Sequence, residues 1–125
     1  MNWEPANDVQ RDLLNILAHI DMPHVDMKRI VCFRSRGSSS RARARIWSFP
    51  KIWQQALNLP PHYVIEVLSE KYDRLSIDDK KRVLIHELLH IPKNFSGSLR
   101  PHKAHNWRLD HRMVERLFQQ YKNKG

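Results

Sequence analysis

The passage Val83-Leu84-Ile85-His86-Glu87-Leu88-Leu89-His90-Ile91-Pro92 constrains this chain more than any other. Its apolar residues predict a helix buried on nearly every side. Such a helix has no easy place for two imidazoles and a carboxylate, because unpaired polar groups inside a core are costly. The spacing supplies the reason for them. Residues i and i+4 share a helical face, so His86 and His90 can grip one metal ion from the same side. Glu87 then projects beside the ion, where a general base for a metal-activated water belongs. Ser76 followed by Asp78 and Asp79 gives an N-cap and an acidic first turn. Pro92 ends the helix, which is expected from about Ile77 to Ile91.

The other segments alternate between helical and strand patterns, which makes the chain an α+β domain. Val9, Leu13, Ile16, Leu17 and Ile20 recur at helical spacing over Ala6 to Ile20. Arg29–Arg34 is a short, β-branched strand, and Arg36-Gly37-Ser38-Ser39-Ser40 a flexible loop. Arg41 to Phe49 begins with strict alternation, which predicts a hairpin from about Ile30 to Phe49 with arginines on its outer face. Lys51–Asn58 is a short helix, and His62–Leu68 a strand suited to a sheet edge or a near-edge position. A last helix is expected from about Asn106 to Tyr121, with Trp107, Val114, Leu117, Phe118 and Tyr121 as its inner stripe. The expected architecture is a sheet of about three strands, antiparallel or mixed, packed on an N-terminal helix, the His86–His90 helix and a C-terminal helix. At 125 residues this is one domain, 1–125, with a modest core.

Charge is the second strong feature. The 22 Lys and Arg against 13 Asp and Glu leave a net charge of +9, which favours an acidic partner, nucleic acid first. Eight basic residues and no acidic one fall between Met27 and Ile65. Arg34, Arg36, Arg41, Arg43 and Arg45 are the candidate nucleic-acid contacts within this 28–51 stretch. No run of 18 apolar residues is present and the N-terminus lacks the pattern of a signal peptide, so a cytoplasmic protein without membrane contact is expected. The single cysteine, Cys32, fits a reducing compartment and reads as a small buried hydrophobe. Nothing in the sequence bears on oligomeric state.

A catalytic zinc site takes three protein ligands and leaves one position for water. The third ligand lies elsewhere in the chain. Metzincins carry a histidine six residues after the second ligand, where this chain has Ser96. Gluzincins use an acid on a following helix, which keeps Glu115 and Asp110 open. His102 and His105 lie on a loop that can double back across the helix end. His102 leads, with Pro101 stiffening its approach, and His105, Asp110 and Glu115 remain alternatives.

Arg82–Ile91 followed by Leu99-Arg100-Pro101-His102 resembles a zinc metallopeptidase family of phages, bacteria and archaea. That group is zincin-like and related to the SprT-like proteases. The resemblance covers about Arg82 to Trp107. It implies a zincin-like fold, zinc held by His86, His90 and His102, Glu87 as the catalytic group, and a peptide or protein substrate. An acidic residue often follows the third histidine in that pattern, and this chain has Lys103 there. Asp110 is then the candidate to orient a ligand histidine from behind. Arg100, Tyr63 and His105 are candidates to support the oxyanion. The basic stretch extends the expectation to proteins associated with nucleic acid. The competing expectation is a basic nucleic-acid-binding module whose zinc site is structural or relic. Glu87 argues against it, since a closed structural site has no use for a carboxylate beside the ion.

Overall fold

The computed structural model describes residues 2–104 and 107–124. Four strands form a mixed sheet in the order β1-β2-β4-β3, where β1 is Asn2–Pro5, β2 Ile30–Arg36, β3 Ala44–Trp47 and β4 Tyr63–Leu68. β1 and β2 are antiparallel, β2 and β4 parallel, and β3 and β4 antiparallel. Helices α1 (Asn7–His19), α2 (Lys51–Leu57), α3 (Ser69–Tyr72), α4 (Ile77–Leu89) and α5 (His111–Lys124) complete the α+β architecture with a two-stranded antiparallel sheet, β5 (Lys103–Ala104) and β6 (Trp107–Arg108).

Alternation along the strands puts Ile30 and Cys32 of β2 and Tyr63, Ile65 and Val67 of β4 into the core. Against them pack Val9, Leu13 and Ile16 of α1, Leu84, Ile85 and Leu88 of α4, and Val114, Leu117 and Phe118 of α5. In α1 and α5 these positions mark one inward face, whereas the second half of α4 is buried nearly all round, as its sequence predicts. Burial pushes the Cys32 thiol up to about 12, so Cys32 is the inert core residue its setting suggests.

The expected hairpin from Ile30 to Phe49 does not form, because β4 inserts between β2 and β3 and pairs with both. β4 is correspondingly an interior strand next to the edge, the near-edge of the two expected positions. Its Val64, Ile65 and Val67 suit a strand flanked on both sides. Its one charged residue, Glu66, is wholly buried but takes hydrogen bonds at 2.9 Å from Arg45 Nε and Trp47 Nε1. The edge beside α4 is therefore β3.

The short strand β1 was not evident from its composition. It pairs with β2 from Arg36 back to Phe33, and Ala6 N donates to Cys32 O at 3.0 Å. Beyond that point Gln10 replaces a strand. Its Nε2 donates to Ile30 O at 2.8 Å, and its Oε1 accepts from Cys32 N at 2.9 Å.

The final helix starts later than expected, at His111 and not Asn106. Asp110 is the reason. Its Oδ1 accepts from Arg112 N at 3.1 Å and Met113 N at 3.3 Å, which is N-cap geometry. Before it β5 and β6 pair antiparallel, and Leu109 N donates to His102 O at 2.7 Å. Among the described residues, no helix is long and apolar enough to cross a membrane.

Candidate metal centre

α4 sets two of the three imidazoles. Ser76 Oγ accepts from Asp79 N at 3.1 Å and begins the helix where the sequence expects it. Thirteen residues later the helix ends, and His90 is its C-cap, still bonded through its N–H to Glu87 O at 3.1 Å. His86 and His90 thus remain one turn apart on one face, with ring centroids 5.3 Å apart.

The third imidazole comes from the return of the chain. His102 places its ring 5.2 Å from His86 and 4.6 Å from His90, centroid to centroid. His86 Nε2 and His102 Nε2 are 3.2 Å apart, and one ligand atom from each of the three histidines lies within 4.8 Å of the others. Two nitrogens each about 2.0–2.1 Å from a tetrahedral zinc ion would be about 3.3 Å apart. The donor set and its spacing therefore fit a metal of that size and geometry.

His90 is held from behind. Its Nδ1 donates to Arg100 O at 2.5 Å, and its own carbonyl accepts from Arg100 N at 2.6 Å. A proton fixed on Nδ1 leaves Nε2 as the unprotonated nitrogen, the tautomer a ligand needs. The group bonded to His90 from behind is a backbone carbonyl, which has no side-chain signature. Burial, followed by the charges of His90 and His102, pushes His86 down to about 4. Burial also lowers His90, against the opposing effect of the Arg100 carbonyl. Both rings are neutral at pH 7, ready to coordinate.

Glu87 is 7% exposed and, among the described residues, its carboxylate accepts no hydrogen bond. Burial alone pushes it up to about 8 in the metal-free chain; a divalent cation alongside works in the opposite direction. Two contiguous hollows open onto this group. One of about 770 Å³ runs along α4 from His86 and Glu87 towards Asp79, with residues 41–44 on one wall and residues 108–111 on the other. The second, about 540 Å³, lies between β3 and residues 99–102 and contains all three histidines.

Of the remaining candidates, Asp110 and Glu115 line the larger hollow and Arg100 the smaller. Glu115 is bound to Arg82 Nε at 3.0 Å and to Gln119, and Asp110 caps α5; neither belongs to the histidine cluster. His105 lies outside the described residues. Tyr63 turns its hydroxyl to the 96–98 loop, donating to Ser98 O at 2.8 Å. Arg100 contributes its backbone to His90. Of the five arginines, Arg34 is fastened to Asp8 and Asp73 at 2.9 and 3.0 Å, Arg36 to Glu4 at 2.9 Å, and Arg45 to Glu66 at 2.9 Å. Arg41 and Arg43 line the larger hollow.

A protein-family model described as "Putative phage metallopeptidase" matches residues 1–122. The chain belongs to this family. The match reaches well beyond the Arg82–Trp107 segment that carries the resemblance in sequence and takes in the whole sheet. Neither the search of curated proteins nor that of solved structures returned a match. Membership in a metallopeptidase family implies a metal ion, and the three histidines form a cluster able to hold one.

Proposed function

We propose that this protein hydrolyses peptide bonds using zinc held by His86, His90 and His102, with Glu87 as the general base. The observation that carries the reading is the meeting of three imidazoles beside a buried carboxylate that has no hydrogen-bond partner among the described residues. Zinc bound there would lower the pKa of a water molecule and polarise a scissile carbonyl. Glu87 takes the proton of the attacking water and returns it to the departing amine nitrogen. The Arg100 carbonyl keeps His90 in the tautomer that leaves Nε2 available. Ala42, Ala44, Ile46 and Leu99 give the smaller hollow an apolar side, against which charge interactions at Glu87 are stronger than in open water.

The substrate in this reading is a polypeptide in extended form. Leu68 N donates to Arg43 O at 3.0 Å, and Arg45 pairs opposite Glu66. In an antiparallel ladder the hydrogen-bonding residues alternate. Residues 43 and 45 therefore spend their backbone groups on β4, while Ala44 and Ile46 direct theirs to the open edge. Ala44 and Ile46 also line the hollow that contains the histidines. A peptide adding as a strand along β3 would lie across Glu87. Arg41 and Arg43 on the cleft wall support an extension of the reading to proteins associated with nucleic acid.

The test is zinc content together with turnover of casein or peptides, for the wild type and Glu87→Gln. Both should bind zinc and only the wild type should cleave. A zinc-loaded wild type that cleaves no protein, with or without DNA present, would sink the reading.

A further inference from the structure

We propose that Gln54 and Tyr63 are positioning residues for the third metal ligand: they clamp residues 96–98 and so fix the path on which the chain returns to His102. The inference rests on the reading of His86, His90 and His102 as metal ligands and goes beyond it, since neither Gln54 nor Tyr63 belongs to the cluster.

His102 is exposed, so packing around its own side chain does little to hold it. Its position is set by the backbone on either side. On the downstream side Leu109 N donates to His102 O at 2.7 Å. Upstream, the chain leaves α4 at His90 and has to reverse, passing through left-handed backbone at Phe95 (φ 48°) and Gly97 (φ 93°). A reversal of this kind is entropically expensive to hold in one conformation unless other segments fasten it.

Three separate segments do so. Gln54 Nε2 donates both to Phe49 O and to Ser96 O, each at 2.8 Å. Phe49 N donates to Gly97 O at 2.8 Å. The Tyr63 hydroxyl accepts from Gly97 N at 2.9 Å and donates to Ser98 O at 2.8 Å. Its ring meets Phe95 edge to face, with centroids 5.0 Å apart. Residues 96, 97 and 98 are thereby tied to α2, to Phe49 in the link between β3 and α2, and to β4. Two residues on, the reciprocal pair between Arg100 and His90 joins the loop to the metal helix.

Two further observations show that the clamp is built closely. A Cβ at Gly97 would run into the Gln54 side chain and the Phe49 carbonyl, and the backbone there is already in the glycine region. Within α2, Gln54 is the one residue that is not exposed; Ile52, Trp53 and Leu57 all face solvent. α2 therefore contributes almost nothing to the core, and what it does present inward is the amide that holds Ser96.

The test uses the full chain and titrates the metal-free protein with Co2+ and Zn2+, comparing the wild type, Gln54→Ala, His102→Ala and the double variant. Gln54→Ala is expected to weaken metal affinity about 10- to 100-fold, the range typical of groups that support a ligand. The intensity of the cobalt d–d bands should fall as an imidazole is replaced by water, while the thermal midpoint of the metal-free chain stays close to wild type. In the His102→Ala background the same substitution should change affinity little, because the ligand it positions is gone. Tyr63→Phe, which removes a single oxygen, carries the same expectation if Gln54→Ala fails to fold. Unchanged affinity in both variants, or an equal loss with and without His102, would overturn this inference alone. A wild type that takes up neither ion would remove the metal reading and this inference with it.

Discussion

Two glutamates in this protein are nearly closed off from water, and they are held in opposite ways. Glu66, in the middle of β4, is wholly buried and fully occupied: Arg45 Nε and Trp47 Nε1 each donate to it at 2.9 Å. Burial raises its pKa, but the bonds from Arg45 and Trp47 outweigh this and hold the carboxyl below its ordinary value. Glu87, on α4, is 7% exposed and has no such partners among the described residues, so burial acts unopposed and pushes it up to about 8. A buried carboxylate whose two oxygens both accept hydrogen bonds is structural. A buried carboxylate left without partners weakens the fold unless something else uses it, and Glu87 stands next to three imidazoles that could hold that something.

The largest expected effect breaks the comparison outright. Glu87→Gln should reduce peptide hydrolysis by about 10²–10⁴-fold, the range for loss of a general base, with zinc content unchanged. Retention of most of the wild-type turnover would show that Glu87 is as structural as Glu66. Next comes stability. Glu66→Ala strips Arg45 and Trp47 of their shared acceptor and should lower unfolding free energy by about 2–3 kcal/mol in urea titrations. In the metal-free chain Glu87→Gln should do the reverse and raise stability by about 1 kcal/mol. Equal destabilisation by the two would erase the distinction.

The same contrast fixes two signs of pH dependence. For Glu66 the folded-state value is lowered, so its contribution is present above the unfolded carboxyl value of about 4.3 and is lost as pH falls through the lower folded value. For Glu87 the folded value is raised, so the contribution is present below the unfolded value and is lost as pH rises towards about 8. Metal-free wild type should therefore fall behind Glu87→Gln progressively between about pH 4.5 and 8. The lowered values of His86 and His90 act with the opposite sign in part of that window but are common to both proteins and cancel in the difference. A flat difference in chemical-denaturation midpoints across the window would show that Glu87 carries no burial penalty.

The smallest effect concerns the basic stretch. Arg34, Arg36 and Arg45 are each held by a carboxylate at 3.0 Å or less, which leaves Arg41 and Arg43 as the two of the five without an ion pair among the described residues. Two phosphate contacts give a slope of log K on log salt of about −1.8, against about −4.5 for five. Fluorescence titration of a short DNA duplex at several salt concentrations separates these values. A slope near the larger one would mean that the ion pairs open on binding.

What the sequence disclosed follows the range of the interactions involved. α4 was legible to within two residues because its cap, apolar face and stop are all local. The histidine spacing is local too, and Pro101 beside His102 marked the stiff approach from which the third imidazole arrives. Sheet order was not legible: strand pairing joins residues tens of positions apart, and the alternation of Arg41-Ala42-Arg43-Ala44-Arg45 is the same whether β3 lies beside β2 or beside β4. Asp110 was noticed for its place near the histidines, yet its carboxylate caps α5, a role that competes for the same oxygens. The Arg100 carbonyl behind His90 is backbone, and no residue type announces it.

The two edges of the sheet have unlike fates. On one side β1 is only four residues long and ends in Pro5, and Gln10 fills the positions of β2 that β1 leaves bare. On the other side β3 is the edge strand, and among the described residues no further strand pairs with its outer row of amides and carbonyls. An extended chain seeking to lengthen this sheet finds its ready attachment at β3. In most proteins an uncovered strand edge invites aggregation. Here, if the cleft hydrolyses peptides, whatever docks on that edge is presented for cutting, and the exposed edge guards itself.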